Sequence, residues 1–172
     1  KELCKAAYDV LKDADVVVTH NGKRFDWRFL QTRLLIHGFP PLPKIIHIDT
    51  CSESKKYLYT FNNRLNNLAK CFSLRKKVDH EGWDLWVKTH AKDKKALEKM
   101  TRYCKGDVLV LEEIFNVMRP LIKGIPNENQ FVKHDCCPKC GSDRMQSRGF
   151  SMSKEKTNRR FQCQDCGSWS TV

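Results

Sequence analysis

The chain has 172 residues, enough for one medium-sized domain or for a smaller domain with an appendage. Its 32 Lys and Arg against 20 Asp and Glu give a net charge of +12, which favours nucleic acid as a partner, although a basic protein that simply stays in solution is the alternative. No apolar run reaches the roughly 18 residues of a membrane span and the N-terminus carries no signal-peptide core, so we expect a cytoplasmic protein without a membrane partner.

The first part of the chain alternates helical and strand patterns. Apolar residues at helical spacing over residues 2–13 predict a first helix, and the β-branched run Val16–His20 predicts a strand buried on both faces. A second helix is predicted from Asp26 to His37, with Gly38 after its end. Its inward residues would be Phe29, Leu30, Leu34 and Leu35. Residues 45–50 predict a second buried strand, so we expect a largely parallel sheet flanked by helices.

The later elements are mainly helical. A short helix is predicted from about Asn62, and a polar segment over residues 74–90 would be anchored by Trp83 and Trp86. The longest helical pattern runs from about Asp93 to Leu121, with an apolar stripe. The stripe comprises Leu97, Met100, Cys104, Val108, Leu111, Phe115 and Met118. Because two strands do not make a stable open α/β sheet, we expect that further strands precede Lys1.

Two short motifs contain side chains that could form a metal-binding site. Asn21-Gly22-Lys23-Arg24-Phe25-Asp26 follows the first predicted strand, and Tyr103 and Asp107 lie at positions i and i+4 of the longest helix, hence on one face. A carboxylate one turn from a hydroxyl can hold a metal ion and orient a water beside it.

Each of these residues also has a structural interpretation. Asp26 could serve only as a helix N-cap, and Asp107 could be a solvated helix residue. Tyr103 and Phe25 could be core residues. Asp49, which is followed by Thr50 and Ser52, is better explained by turn and capping chemistry than by metal binding.

The spaced motifs together resemble the DEDD (DnaQ-like) 3′–5′ exonuclease superfamily, tyrosine subclass, over roughly residues 1–122. The resemblance implies an α/β fold, namely an RNase H-like mixed sheet flanked by helices. It also implies two-metal-ion phosphodiester hydrolysis of nucleic acid with Mg²⁺ or Mn²⁺, with DNA favoured over RNA but both left open, in a prokaryotic cell or phage-infected host. Asp26 and Asp107 would be two of four metal-binding carboxylates, Tyr103 would orient the attacking water, and Asn21 and Phe25 would contact the terminal nucleotide.

The other two acids of this family form an Asp-x-Glu pair on the first strand. Asp79-His80-Glu81 has the required letters, but it is not part of a β-branched run. We therefore expect the chain to lack this motif and its first strands, and to be inactive as it stands, with a segment preceding Lys1 supplying the pair. The alternative is a catalytically inactive protein that binds nucleic acid or docks a partner.

The C-terminal part contains two Cys-x-x-Cys-Gly motifs separated by 22 residues. This pattern resembles a zinc ribbon, in which Cys137, Cys140, Cys163 and Cys166 would hold one structural Zn²⁺. Disulfide or redox roles are the alternatives. Cys136 could replace Cys137 as the ligand, but only Cys137 gives matched motifs, and the nearby His134 is interpreted as a bystander.

These patterns predict an incomplete exonuclease domain over residues 1–122, a linker over 123–130 and a small β zinc ribbon over 131–172. In the ribbon, basic residues alternate with Phe150, Phe161 and Trp169, which could stack on bases. The alternatives are that these aromatic side chains fill the ribbon's own small core or dock a protein partner.

Overall fold

The structure is a computed structural model that describes residues 1–74, 82–127, 136–152 and 156–171. The chain divides into two compact units, Lys1–Phe115 and Asn116–Val172. The Asp79-His80-Glu81 sequence and His134 lie outside the described residues.

The first unit contains helices and a two-stranded sheet. In chain order its elements are α1 (Glu2–Leu11), β1 (Val16–Thr19), α2 (Asp26–Ile36), β2 (Ile46–Asp49), α3 (Thr50–Tyr57), α4 (Leu65–Cys71), α5 (Trp83–His90) and α6 (Lys94–Met118). The last residues of α6, from Asn116, belong to the second unit. The predicted alternation of helices and strands is therefore present.

β1 and β2 are parallel, with Val16 opposite Ile46 and Thr19 opposite Asp49. Both strands were predicted to be buried, but every residue of β1 is only half-buried and Ile46 is 44% exposed. The prediction was wrong for β1 because, within the described residues, β1 pairs with β2 alone and the sheet is too narrow to enclose it. In β2, Ile48 and Asp49 are buried.

Helices α1 and α2 pack together around Cys4, Leu34 and Leu42. Leu30 and Trp27 support this cluster, so the buried positions of α2 are 27, 30 and 34, one helical face. Phe29 and Leu35, which were predicted to point inward, are 63% and 60% exposed. As predicted, α2 is followed by Gly38, which has a φ of +76°.

In α5 and α6 the buried face differs from the prediction. Leu85 is the buried residue of α5, whereas the expected anchors Trp83 and Trp86 are exposed. In α6 the predicted stripe residues Cys104 and Val108 are exposed. The buried residues are Ala96, Met100, Val110, Ile114 and Met118. Met100 and Met118 of the predicted stripe are buried, whereas Leu97, Cys104 and Val108 are exposed, so the stripe lies only partly on the buried face.

The second unit is built around an antiparallel sheet of three strands in the order β3-β4-β5: Met145–Met152, Thr157–Cys163 and Trp169–Thr171. The register of β3 and β4 shifts between Ser147 and Phe150, where Gly149 has a φ of +78°. Among the residues that the structure describes, no helix has the length and apolar character to span a bilayer.

Candidate functional site

The loop between β1 and α2 is held by a buried carboxylate. The backbone N–H of Asn21 donates to Oδ1 of Asp49 at 2.8 Å, and that of Lys23 donates to Oδ2 at 3.0 Å. Asn21 adopts a φ of +62°, and a Cβ on Gly22 would lie 2.7 Å from Cβ of Thr19. The loop therefore requires glycine at position 22, and its path is fixed at the carboxyl end of both strands.

Asp49 also begins α3, because its side chain accepts from the N–H groups of Cys51 and Ser52. The residue is only 2% exposed. The structural interpretation of Asp49 as a cap is confirmed. What the sequence did not indicate is that the same carboxylate also fixes the loop that carries Asn21.

Asp26 is the first residue of α2 and is exposed. The N-cap position is Phe25, which makes no side-chain capping bond, so the interpretation of Asp26 as the N-cap was wrong. Phe25 is 68% exposed, so it is not a core residue either. Both side chains are accessible to a ligand.

Tyr103 and Asp107 lie on α6 in line with its buried residues. The ring of Tyr103 packs against Leu85, Ala96 and Met100, so its partial burial in a core cluster is confirmed. Asp107 is half-buried with its Oδ1 atom enclosed, which contradicts the interpretation of a fully solvated residue. The two side chains share a helix face, and both are more enclosed than Asp26.

Asp26 and Asp107 have the chemistry of ligands for Mg²⁺ or Mn²⁺, but they lie on different helices, α2 and α6. Carboxylate oxygens are the ligands these ions prefer, but two ions need more than two acids. Within the described ranges, the only group of three or more His, Cys, Asp or Glu side chains close enough to hold an ion is one of four cysteines. Among the described residues the structure therefore groups no set of three such carboxylates, and Asp26 with Asp107 would be too few for two ions.

That cysteine group is formed by Cys137, Cys140, Cys163 and Cys166, whose sulfur atoms all lie within 4.8 Å of one another. Cys137 and Cys166 are 3.6 Å apart, as are Cys140 and Cys163. A tetrahedral zinc ion with Zn–S bonds of about 2.3 Å has sulfurs about 3.8 Å apart. Cys136 is buried but does not belong to the group, and all nine cysteines are free thiols. The four cysteines can hold a metal ion.

The two halves of this group have the same backbone geometry. Gly141 donates to the carbonyl of Cys137, and Gly167 donates to the carbonyl of Cys163, at 2.9 and 3.0 Å. Both glycines have positive φ, 70° and 73°. The first cysteine of each half also donates its N–H to a serine carbonyl, from Cys137 to Ser142 and from Cys163 to Ser168. The repeated Cys-x-x-Cys-Gly-Ser sequence therefore forms the same turn twice.

Ser168 distinguishes the two halves, because its hydroxyl lies 3.1 Å from the sulfur of Cys137 and 3.2 Å from that of Cys166. Burial raises the pKa of the Cys137 thiol, but hydrogen bonds from Ser168 and from the N–H of Lys139 outweigh it and lower the pKa to about 6. At Cys140, burial and the neighbouring thiols raise the pKa to about 12. A bound divalent cation favours the thiolate form of its cysteine ligands.

Three residues were not singled out from the sequence, namely Ser168, Tyr59 and Phe61. Ser168 could have been noticed from the serine that follows both Cys-x-x-Cys-Gly motifs. Tyr59 and Phe61, between α3 and α4, are almost fully exposed. Their loop is held by the hydroxyl of Thr60, which donates to Oδ1 of Asn63 at 3.1 Å. The sequence could have drawn attention to this exposed pair, because two aromatic residues occur within a polar segment.

A sequence model described as the RNase H superfamily matches residues 1–119. No curated protein and no solved structure matches the chain.

Proposed function

We propose, because the chain belongs to the RNase H superfamily, that the protein is a 3′–5′ exonuclease of the DEDD type. Membership in this superfamily points to nuclease-type hydrolysis of nucleic acid. The finer assignment depends mainly on the loop that Asp49 fixes at the carboxyl end of the parallel strands, since this loop presents Phe25 and Asp26 to solvent. Ligands of open α/β sheets characteristically bind at that edge.

In this proposal Asp26 and Asp107 supply two of the four carboxylates that would hold two Mg²⁺ or Mn²⁺ ions. Such ions, when bound, would activate water and stabilise the charge that develops on the phosphoryl group. The hydroxyl of Tyr103 would orient the attacking water, because its ring is held by Leu85 and Met100. The exposed ring of Phe25 would stack on the terminal nucleotide, and the side chain of Asn21 would bind beside it.

The four cysteines are proposed to hold one structural Zn²⁺ in a zinc ribbon over residues 131–172, separated by a linker over 123–130 from a nuclease domain over 1–122. The sulfur spacing and the two equivalent turns support zinc, which prefers four thiolates in tetrahedral geometry. A unit this small has little core, so the metal would supply much of its folding free energy.

A second candidate is a catalytically inactive protein that binds nucleic acid or a protein partner through the same ribbon. In the sequence given, Asp26 and Asp107 are not accompanied by an Asp-x-Glu pair on a strand-like segment, and the inactive candidate is a protein that lacks such a pair altogether. The two candidates differ in chemistry and share the family's association with nucleic acid.

A nuclease assay separates them. The protein as its gene encodes it is incubated with Mn²⁺ and a 5′-labelled oligonucleotide, and an exonuclease of this polarity produces a ladder that shortens from the 3′ end. Removing a metal ligand or the water-orienting hydroxyl should lower the rate by at least about 100-fold in Asp26→Asn, Asp107→Asn and Tyr103→Phe. Asp84→Asn, which changes an exposed aspartate of α5, is the matched control and should retain the rate. An oligonucleotide that keeps its full length supports the inactive candidate, and full activity of Asp107→Asn refutes the assigned site.

A further inference from the structure

The sheet of the second unit has two chemically different faces. Directly opposed residues share a face, and successive residues of a strand alternate between faces. Gln162 is opposite Gln146 on one side and Trp169 on the other, so these three residues form a row across the sheet. Arg160, two positions before Gln162, lies on the same face. We call this the polar face; it comprises Gln146, Arg148, Asn158, Arg160, Gln162 and Trp169.

The opposite face is largely apolar. Phe161 is opposite Ser147, and Arg159 is opposite Phe150, which is 62% exposed. The three aromatic residues that could stack on bases are therefore divided, because Phe150 and Phe161 lie on one face and Trp169 on the other. Trp169 and Phe150 are both exposed, so the alternative that these aromatic side chains fill a small core does not hold for these two.

The polar face combines a flat exposed ring with two positive charges. Trp169 is 54% exposed, and the guanidinium carbon of Arg160 lies 5.6 Å from the centre of its ring. Nε of Arg148 donates to Oε1 of Gln162 at 3.2 Å, which brings the second guanidinium to the same face. None of the residues of β3, β4 or β5 is acidic. The face is therefore positively charged and complementary to a polyanion.

We propose that the polar face binds single-stranded nucleic acid, with one base stacked on Trp169 and with backbone phosphates on Arg148 and Arg160. A single strand fits better than a duplex, because the faces of its bases are free to stack on an indole, whereas those of a duplex are already stacked. The amides of Gln146 and Gln162 can donate to and accept from base edges. This inference extends the proposed function, on which it rests for nucleic acid as the ligand, but it needs neither Asp26 nor Asp107.

The test is binding of the zinc-loaded full chain to short dye-labelled thymidine and uridine oligonucleotides, followed by fluorescence anisotropy without Mg²⁺ or Mn²⁺. Trp169→Leu, which keeps an apolar side chain but cannot stack, should weaken binding about 5- to 100-fold, and Trp169→Phe should retain most of it. Arg148→Gln with Arg160→Gln should weaken binding about tenfold and lower the slope of log affinity against log salt by about 1.4, or about 0.7 for each lost phosphate contact.

Arg159→Gln is the matched control, because it removes the same charge from the neighbouring residue on the opposite face, and it should change binding by less than about twofold. Zinc content is measured for each variant, and one ion per chain shows that the unit is intact. Binding of either oligonucleotide with this variant pattern supports the proposal, and the comparison of the two distinguishes deoxyribose from ribose. The proposal is overturned by binding of neither oligonucleotide, by equally tight binding of a duplex, by unchanged affinity in Trp169→Leu, or by equal losses in Arg159→Gln and Arg160→Gln. Because no catalytic ion is present, failure of nuclease activity leaves these outcomes unaffected.

Discussion

The carboxylate of Asp49 accepts the backbone N–H of Asn21 at 2.8 Å and so joins the ends of two neighbouring parallel strands. Asp49 Oδ1 also accepts from Cys51 and Ser52, at 3.1 and 3.2 Å, and Oδ2 accepts from Lys23 at 3.0 Å. One buried side chain therefore begins α3 and shapes the loop that leads to Asp26. Asp49 supports the candidate site without belonging to it.

Replacing Asp49 should lower stability, whereas the same change at Asp26 should not. Asp49→Asn replaces one acceptor oxygen with a donor that faces a backbone N–H, which should cost about 1–3 kcal/mol of the free energy of unfolding, and Asp49→Ala should cost more. Asp26→Asn, at an exposed position without a capping bond, should cost less than about 1 kcal/mol. Urea unfolding followed by far-ultraviolet circular dichroism measures both. Equal losses in the two asparagine variants would show that the carboxylate of Asp49 has no special role.

Gly22 and Gly38 should respond differently to substitution. Gly22→Ala should cost about 1–3 kcal/mol because the new methyl group would lie 2.7 Å from Cβ of Thr19. Gly38→Ala should cost about 1–2 kcal/mol for a different reason, namely a φ of +76° in open space. Asparagine tolerates that conformation, so Gly38→Asn should recover most of the loss, while Gly22→Asn should not recover any. Urea midpoints of the four variants test this, and rescue at both positions would contradict the steric explanation for Gly22.

The positions of most elements could be predicted because they depend on local pattern, although α3 and α5 were not predicted as helices. Val16–Thr19 is a β-branched run, α2 is followed by a glycine with positive φ, and both are found where expected. Burial depends on neighbours that local pattern does not specify. Leu35 and Val108 satisfy helical spacing, yet they face away from the packed side of their helices. Trp83 and Trp86 were expected to anchor their segment but are exposed, because their burial also depends on neighbours that local pattern does not specify.

The candidate sites likewise contain some features that sequence spacing predicts and others that it does not. Cys137, Cys140, Cys163 and Cys166 could be selected from spacing, because two ligands on one turn constrain each other strongly. The placement of Trp169 and Phe150 on opposite faces of the sheet could not be predicted from spacing, because it depends on strand register and on the shift near Gly149. The double role of Asp49 depends on a contact between residues 28 positions apart. Sequence spacing carries no information about such contacts.

His47 should make the stability of the chain depend on pH. Burial lowers the pKa of His47 below its ordinary value of 6.5, with Asp49 raising it and Lys23 lowering it further. Nε2 of His47 lies 2.8 Å from the hydroxyl of Thr19, and its ring contacts Trp27 edge-on. Below pH 6.5 the unfolded chain takes up a proton before the folded chain does, so the free energy of unfolding should fall as the pH drops from 6.5 towards the lowered pKa. Urea midpoints between pH 8 and about 5 should show a smaller acid loss in His47→Gln. An unchanged slope in that variant would assign the loss to other groups.

Ser168 should matter more to metal binding than the equivalent Ser142. The Ser168 hydroxyl is buried and contacts the sulfurs of Cys137 and Cys166, so Ser168→Ala should weaken zinc affinity about 10- to 100-fold through loss of the hydrogen bonds that favour thiolate. The Ser142 hydroxyl instead donates to Asp165 and accepts from the N–H of Arg144, away from the sulfurs. Ser142→Ala should therefore leave zinc affinity nearly unchanged. Both variants keep the backbone carbonyl that closes the turn, so they differ only in what the hydroxyl contacts. Competition with a chromogenic chelator at fixed pH gives both affinities, and an equal loss in the two variants would show that the turn matters and the hydroxyl contact does not.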